Sequence, residues 1–157
     1  IAILGILASA ILVAVDPAAQ MAKARNSTRK AILKGYANAL ERYKLFQGTY
    51  PVTGTWCSAP GAYWAGGCPD PNNWIPGLVA SGELKLLPKD PRHGQAFAPC
   101  NDPQAVAMIY YSNGVDYKVL DICALEVPGS VSPSDPFLDP PRSGYSFSVY
   151  TPAAAGW

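Results

Sequence analysis

The chain is poor in the groups that do chemistry. Its 157 residues include one histidine, His93, and it has no nucleophile partner in a recognisable pattern. His93 reads as a loop surface residue. The sequence contains no G-x-S-x-G, no H-E-x-x-H, no phosphate-binding P-loop and no G-x-G-x-x-G. Charged residues are few, at 15%, and the net charge is +1. A nucleic-acid partner is therefore not indicated by overall charge, and no aromatic-basic motif points to one. Internal repeats are absent too. Together these absences argue against an enzyme.

Long apolar runs are equally scarce, with one exception. Residues 1–15 carry no charge and no strongly polar group beyond Ser9. Fifteen helical residues reach about 22 Å, whereas a bilayer core needs about 30 Å, or roughly 20 apolar residues. The run is short for a lone span. A secretory signal peptide would carry a basic flank and a cleavage site followed by a turn, and here a long amphipathic pattern comes directly after the run. Small residues (Ala2, Gly5, Ala8, Ala10) alternate with Ile, Leu and Val, which lets apolar helices pack closely. The side chains expected to pack in such a core are Ile1, Ile3, Leu4, Gly5, Leu7, Ile11, Leu12 and Val15.

Asp16-Pro17 interrupts this run. Proline removes a helix hydrogen bond and disfavours helix at the preceding residue. A kink, a melted turn or a helix restart is expected, with Asp16 able to cap the next helical segment. In that segment Ile32, Tyr36, Ala39, Tyr43 and Phe46 recur at spacings of four and three, and Leu33 and Leu40 widen the stripe. This is the period of a helix with one face docked on a core. Gly48 and Pro51 mark its end. The two segments together would form a helix of about 45 residues, near 70 Å. A small domain can cover only its second half. Three zones result: an apolar helix over residues 1–17, an amphipathic stem over 18–48, and a head over 49–157.

The head begins with a proline-rich stretch in which residues 74–87 are expected to hold a short helix. Residues 105–111 and 117–127 flank Asn113-Gly114 and predict an antiparallel hairpin. Residues 144–151 alternate Tyr145, Phe147 and Val149 with Ser146, Ser148 and Tyr150, which predicts a third strand. Four cysteines, Cys57, Cys68, Cys100 and Cys123, lie in this head and form no C-x-x-C pair. Two disulfides in an oxidising compartment fit them better than zinc, which lacks ligand spacing here. Four cysteines allow three connectivities. The pairing Cys57–Cys68 with Cys100–Cys123 is expected because each loop is short and closes at modest entropic cost.

The order of elements (apolar helix, interruption, amphipathic helix, disulfide-bearing antiparallel sheet) resembles type IV pilins and the pseudopilins of type II secretion. The run IAILGILASAILVAV is similar to the continuation of the pilin N-terminal signature. ALERYKLFQGTYP is similar to the pilin stem and its exit into the head. LPKDPR at residues 87–92 resembles a stretch that major pseudopilins carry before their sheet, and YYSNGVDYKVL and FSVYTP also look like this group. A Phe-led block with a glutamate just inside it is typical of the family, and would lie upstream of Ile1. The resemblance implies an α+β fold and a structural subunit of an extracellular helical filament. It implies anchoring in the bacterial inner membrane before assembly, identical subunits as partners, and an assembly platform driven by an ATPase. Adhesion, twitching motility and DNA uptake are the roles it implies for a pilus. The alternatives are a secretion pseudopilin and a membrane-anchored binding domain that never polymerises.

Two further expectations concern charge. Residues 16–47 carry seven basic residues against two acidic ones, and the head five against nine. Lys23, Arg25, Arg29, Lys30 and Lys34 are therefore expected to meet the acidic head of another copy, which would set register and orientation. The same basic run could sit near anionic lipid headgroups. Separately, Asp135 and Asp139, with Asp116 or Asp121 from the hairpin, could form an oxygen-rich cation site. Some pseudopilins bind calcium in their sheet loops, so the resemblance points the same way. Turn-forming aspartates beside prolines are the plainer reading, and no cofactor is otherwise implied. Asn26-Ser27-Thr28 matches the N-glycosylation pattern but falls inside the helix. Residues 130–134 are a more plausible exposed modification site.

Overall fold

The computed structural model describes residues 16–127 and 131–157. The expectations for residues 1–15, including the packing of Ile1 to Val15, lie outside the described residues.

The chain is α+β: one long helix packs on a four-stranded antiparallel sheet. Helix α1 spans Pro17–Gln47, about 46 Å. It starts where the sequence indicates. Asp16 is extended, and its carboxylate accepts hydrogen bonds from the Ala18 and Ala19 amides at 3.0 and 3.1 Å. Pro17 occupies the first turn, where its missing N–H costs nothing. At the other end Gly48 takes φ +80, and its amide closes on the Lys44 carbonyl at 2.8 Å. That left-handed position is open to glycine at little cost.

Strands β1 (Cys57–Ser58), β2 (Ala107–Ser112), β3 (Tyr117–Ile122) and β4 (Phe147–Tyr150) pair in sequence order. The hairpin β2–β3 sets Tyr110 opposite Val119 and Ser112 opposite Tyr117. Its turn is fixed by the Asn113 side-chain oxygen, which accepts from the Val115 and Asp116 amides at 2.9 and 2.8 Å. Strand β1 carried no alternating pattern, because two residues are too few to show one.

One face of the sheet meets α1. Leu33, Tyr36, Ala39 and Leu40 of α1 pack with Cys57, Met108, Tyr110, Tyr117, Val119 and Phe147, all buried. Trp74, Ile75 and Leu78 complete this core from the proline-rich stretch. The short helix expected over residues 74–87 is a series of turns instead. Pro76 and Gly77 fall within it, and Gly77 has φ +77. The stripe on α1 also differs from expectation: near its end Phe46 is 78% exposed, and Ile32 and Tyr43 are only partly buried. On the sheet's other face, Tyr111 meets Trp56 in a tilted contact and Trp157 edge-on, with ring centroids 5.5 and 5.0 Å apart.

Candidate functional site: the junction of stem and head

The N-terminal half of α1 seats on the head through charge. Continuing the buried face backwards from Leu33 reaches Arg29, Asn26 and Ala22 at spacings of four, three and four. Arg29 has no exposed surface. Its Nε lies 2.5 Å from Asp90 Oδ2, its Nη2 2.9 Å from Glu126 Oε1, and its Nη1 3.0 Å from Asn26 Oδ1. Asp121, on β3, is 3.7 Å from Nε. Arg25, one helical turn earlier, holds both oxygens of Glu126 in a forked contact. Arg92 reaches the same carboxylate at 3.2 Å. Asp90 also accepts the Arg92 amide at 2.5 Å, which fixes the loop carrying both residues.

The electrostatics reflect this crowding. Burial by itself would raise the Glu126 pKa, but hydrogen bonds from Arg25 and Arg29 outweigh it and hold the carboxyl below its ordinary value. Burial works against charge on Arg29, yet Asp90 and its neighbours keep the guanidinium pKa above the usual one. Burial pushes Asp121 well above the carboxylate range, helped by the charge of Asp90. Burial also raises Tyr36, whose hydroxyl donates to the Pro88 carbonyl at 2.6 Å.

Several of the stem cations thus find partners within their own chain. Lys30 pairs with Asp135 and sits 5.2 Å from the Phe147 ring centre. Arg42, further along, pairs with Glu83. Of the five residues expected to meet another copy, Arg25, Arg29 and Lys30 are engaged internally. Lys23 and Lys34 are exposed. The composition of the stem showed its positive excess but not where that excess is directed.

The candidate calcium carboxylates are not brought together. Asp135 is taken by Lys30, and Asp139 lies 2.6 Å from Lys118 and 2.9 Å from Arg142. Asp116 accepts the Thr151 hydroxyl at 2.7 Å, and Asp121 faces Arg29. Among the described residues no group of three or more His, Cys, Asp or Glu side chains could hold a metal ion. The reason is local: Asp135, Asp139 and Asp116 are each engaged by a cation or hydroxyl of their own, and Asp121 lies beside Arg29. Lys118 was not singled out by the sequence. It is buried at the sheet, where it also donates to the carbonyls of Ala155 and Trp157 at 3.0 and 2.9 Å. Burial lowers its pKa despite Asp139.

Cys100 and Cys123 are joined by a disulfide. The expected second bridge is not closed: Cys57 and Cys68 are free thiols. The Cys68 thiol donates towards the Trp64 carbonyl at 3.2 Å. Burial, reinforced by contact with Cys68, pushes the Cys57 thiol up to about 12. His93 Nε2 lies 2.9 Å from the Pro60 carbonyl. Asn26 is buried against Arg29, so its N-x-S/T pattern is not presented at the surface.

Comparison with protein-family models, with curated proteins and with solved structures finds no significant match to this chain.

Proposed function

We propose that this chain is a structural subunit of a type IV pilin-like extracellular filament. The observation that carries the reading is the pilin-like architecture itself: a 31-residue helix whose buried face docks on a four-stranded antiparallel sheet. In sequence that helix comes directly after an uncharged apolar run, residues 1–15, with Asp16 between them. An apolar segment attached to a stem needs burial, either in a bilayer or among copies of itself. Burying each Ile or Leu side chain away from water is worth about 1.5–3 kcal/mol. Contacts that repeat head to tail without closing give helical filaments.

On this reading the subunit rests in the bacterial inner membrane, is handed to an ATPase-driven assembly platform, and joins identical subunits in a surface filament. Adhesion, twitching motility or DNA uptake would be functions of the polymer. The subunit performs no catalysis. Exposed Leu45, Phe46, Val52 and Val115 lie around the C-terminal end of α1 and the β2–β3 turn, and they are available for contacts between subunits.

Electron microscopy of sheared cell-surface material, with mass spectrometry of the same fraction, tests the proposal. Long filaments containing this chain are expected. Filaments that form only when a secretion apparatus is overproduced would reassign the chain to the pseudopilins. Recovery solely in the membrane fraction, with no filaments, would overturn the proposal in favour of an anchored domain.

A further inference from the structure

Asp121 differs from the other buried charges. It lies on β3, facing α1, with no exposed surface. Among the described residues, neither of its carboxylate oxygens has a hydrogen-bond donor. The cation closest to it, Arg29, is 3.7 Å away and directs its hydrogen bonds to Asp90, Glu126 and Asn26. Arg25 and Arg92 are both committed to Glu126. The Tyr36 hydroxyl, on the next turns of α1, is committed to Pro88. Across the sheet, Asp121 is flanked by Met108 of β2 and Phe147 of β4, which offer no side-chain donor. Lys30 of α1, near Phe147, is held by Asp135. A fully buried carboxylate without a donor is strongly disfavoured. A carboxyl that carries a proton can instead donate it to a neighbouring carboxylate, and Asp90 is that neighbour on the same guanidinium.

We infer that Asp121 and Asp90 form a proton-sharing carboxyl pair around Arg29, and that this pair is a pH-dependent latch holding the first half of α1 on the head. The proton is taken from water and returned to it. With the proton in place, three basic groups (Arg25, Arg29, Arg92) face two carboxylates and one neutral carboxyl. Loss of the proton sets two negative charges against each other in a site closed to solvent, and Arg29 can satisfy only one of them fully. The latch lies within a single chain, so it operates whether or not the chain polymerises.

Linkage sets the sign. The folded chain keeps a proton on Asp121 that the unfolded chain gives up near pH 4. The stability conferred is complete below that pH and is lost as pH rises towards the folded-state pKa. The folding constant falls by up to about tenfold per pH unit in this window.

The test uses the full chain in detergent micelles. Hydrogen exchange of α1 amides between Asn26 and Leu33, corrected for the intrinsic rate, is measured from pH 5 to pH 9 for wild type and Asp121→Asn. An amide at position 121 keeps a donor to Asp90 and cannot ionise. Local opening in wild type is expected to increase with pH by up to about tenfold per unit, with a flat profile in the variant. Parallel profiles would overturn the latch. A carbon-13 titration of the Asp121 carboxyl in wild type decides the matter if the variant fails to fold. Titration at the ordinary aspartate position, near pH 4, would refute it, and titration well above would support it.

Discussion

Arg29 Nε and Asp90 Oδ2 stand 2.5 Å apart, and neither side chain has exposed surface. A residue in the middle of the stem is thereby tied to the connection between β1 and β2, 61 positions away in sequence. LPKDPR, at residues 87–92, supplies Asp90 and Arg92 to this junction and the Pro88 carbonyl to Tyr36. The stretch that helped carry the family resemblance is therefore the one that receives the stem.

Removing one side of the pair should be costly. Asp90→Ala leaves a buried guanidinium short of its best partner and is expected to destabilise the chain by about 3–5 kcal/mol. Replacing Arg29, Asp90 and Asp121 together with apolar residues of similar volume should cost far less, since no buried charge is then stranded. Equilibrium urea denaturation of the two variants measures the contrast.

The acid limb of stability should belong in part to Glu126. Its folded-state pKa is depressed, so its contribution is present above the unfolded value, about 4.5, and is lost as pH falls through the lower folded value. Glu126→Gln should therefore shrink the loss of stability below about pH 4.5 while lowering stability at neutral pH. Denaturation midpoints collected between pH 2 and pH 7 would reveal whether the limb shifts.

Leu40 is fully buried between α1 and the sheet. Leu40→Ala is expected to cost about 2–5 kcal/mol, by lost transfer energy and the cavity left behind. Phe46→Ala, at a side chain 78% exposed, should stay within about 0.5 kcal/mol for the isolated subunit yet reduce filament yield if subunits meet there. Calorimetry and the mass of sheared filament measure the two effects separately.

Removal of the cap at the start of the stem has a smaller expected effect. Asp16→Ala frees the Ala18 and Ala19 amides and should cost about 1 kcal/mol. Circular dichroism through thermal unfolding of the full chain checks it.

Thiol chemistry separates the two free cysteines. Cys57 is 1% exposed and its thiol is pushed up to about 12. Cys68 is only partly buried. Brief alkylation of the native chain at pH 8 should label Cys68 well before Cys57, as read by peptide mass spectrometry. Equal labelling would show that β1 opens readily.

Much of the local structure was legible in advance. Asp16, Pro17 and Gly48 bound α1 because caps and breakers act within a turn of themselves. The spacing of Tyr36 and Ala39, widened by Leu33 and Leu40, shows the docked face because helix geometry repeats every 3.6 residues, although Ile32, Tyr43 and Phe46 of the same stripe are less buried. Asn113-Gly114 marks the hairpin for the same local reason. The destination of charge was less legible. Lys23, Arg25, Arg29, Lys30 and Lys34 look alike along the helix, yet Arg29 and Arg25 are enclosed by Asp90 and Glu126 while Lys34 faces solvent.

By itself, then, the sequence determined the α+β class, the ends of the stem and its buried apolar face, because those depend on contacts between near neighbours. The tertiary structure decided which cysteines join, that Asp135 and Asp139 serve Lys30 and Lys118 rather than a metal, and that Arg29 is a buried anchor and not a surface charge. Each of those depends on residues tens of positions apart meeting in a low-dielectric interior. There a few ångströms decide which carboxylate a cation neutralises, as Arg29 does Asp90 at 2.5 Å, and which, like Asp121, stands off at 3.7 Å.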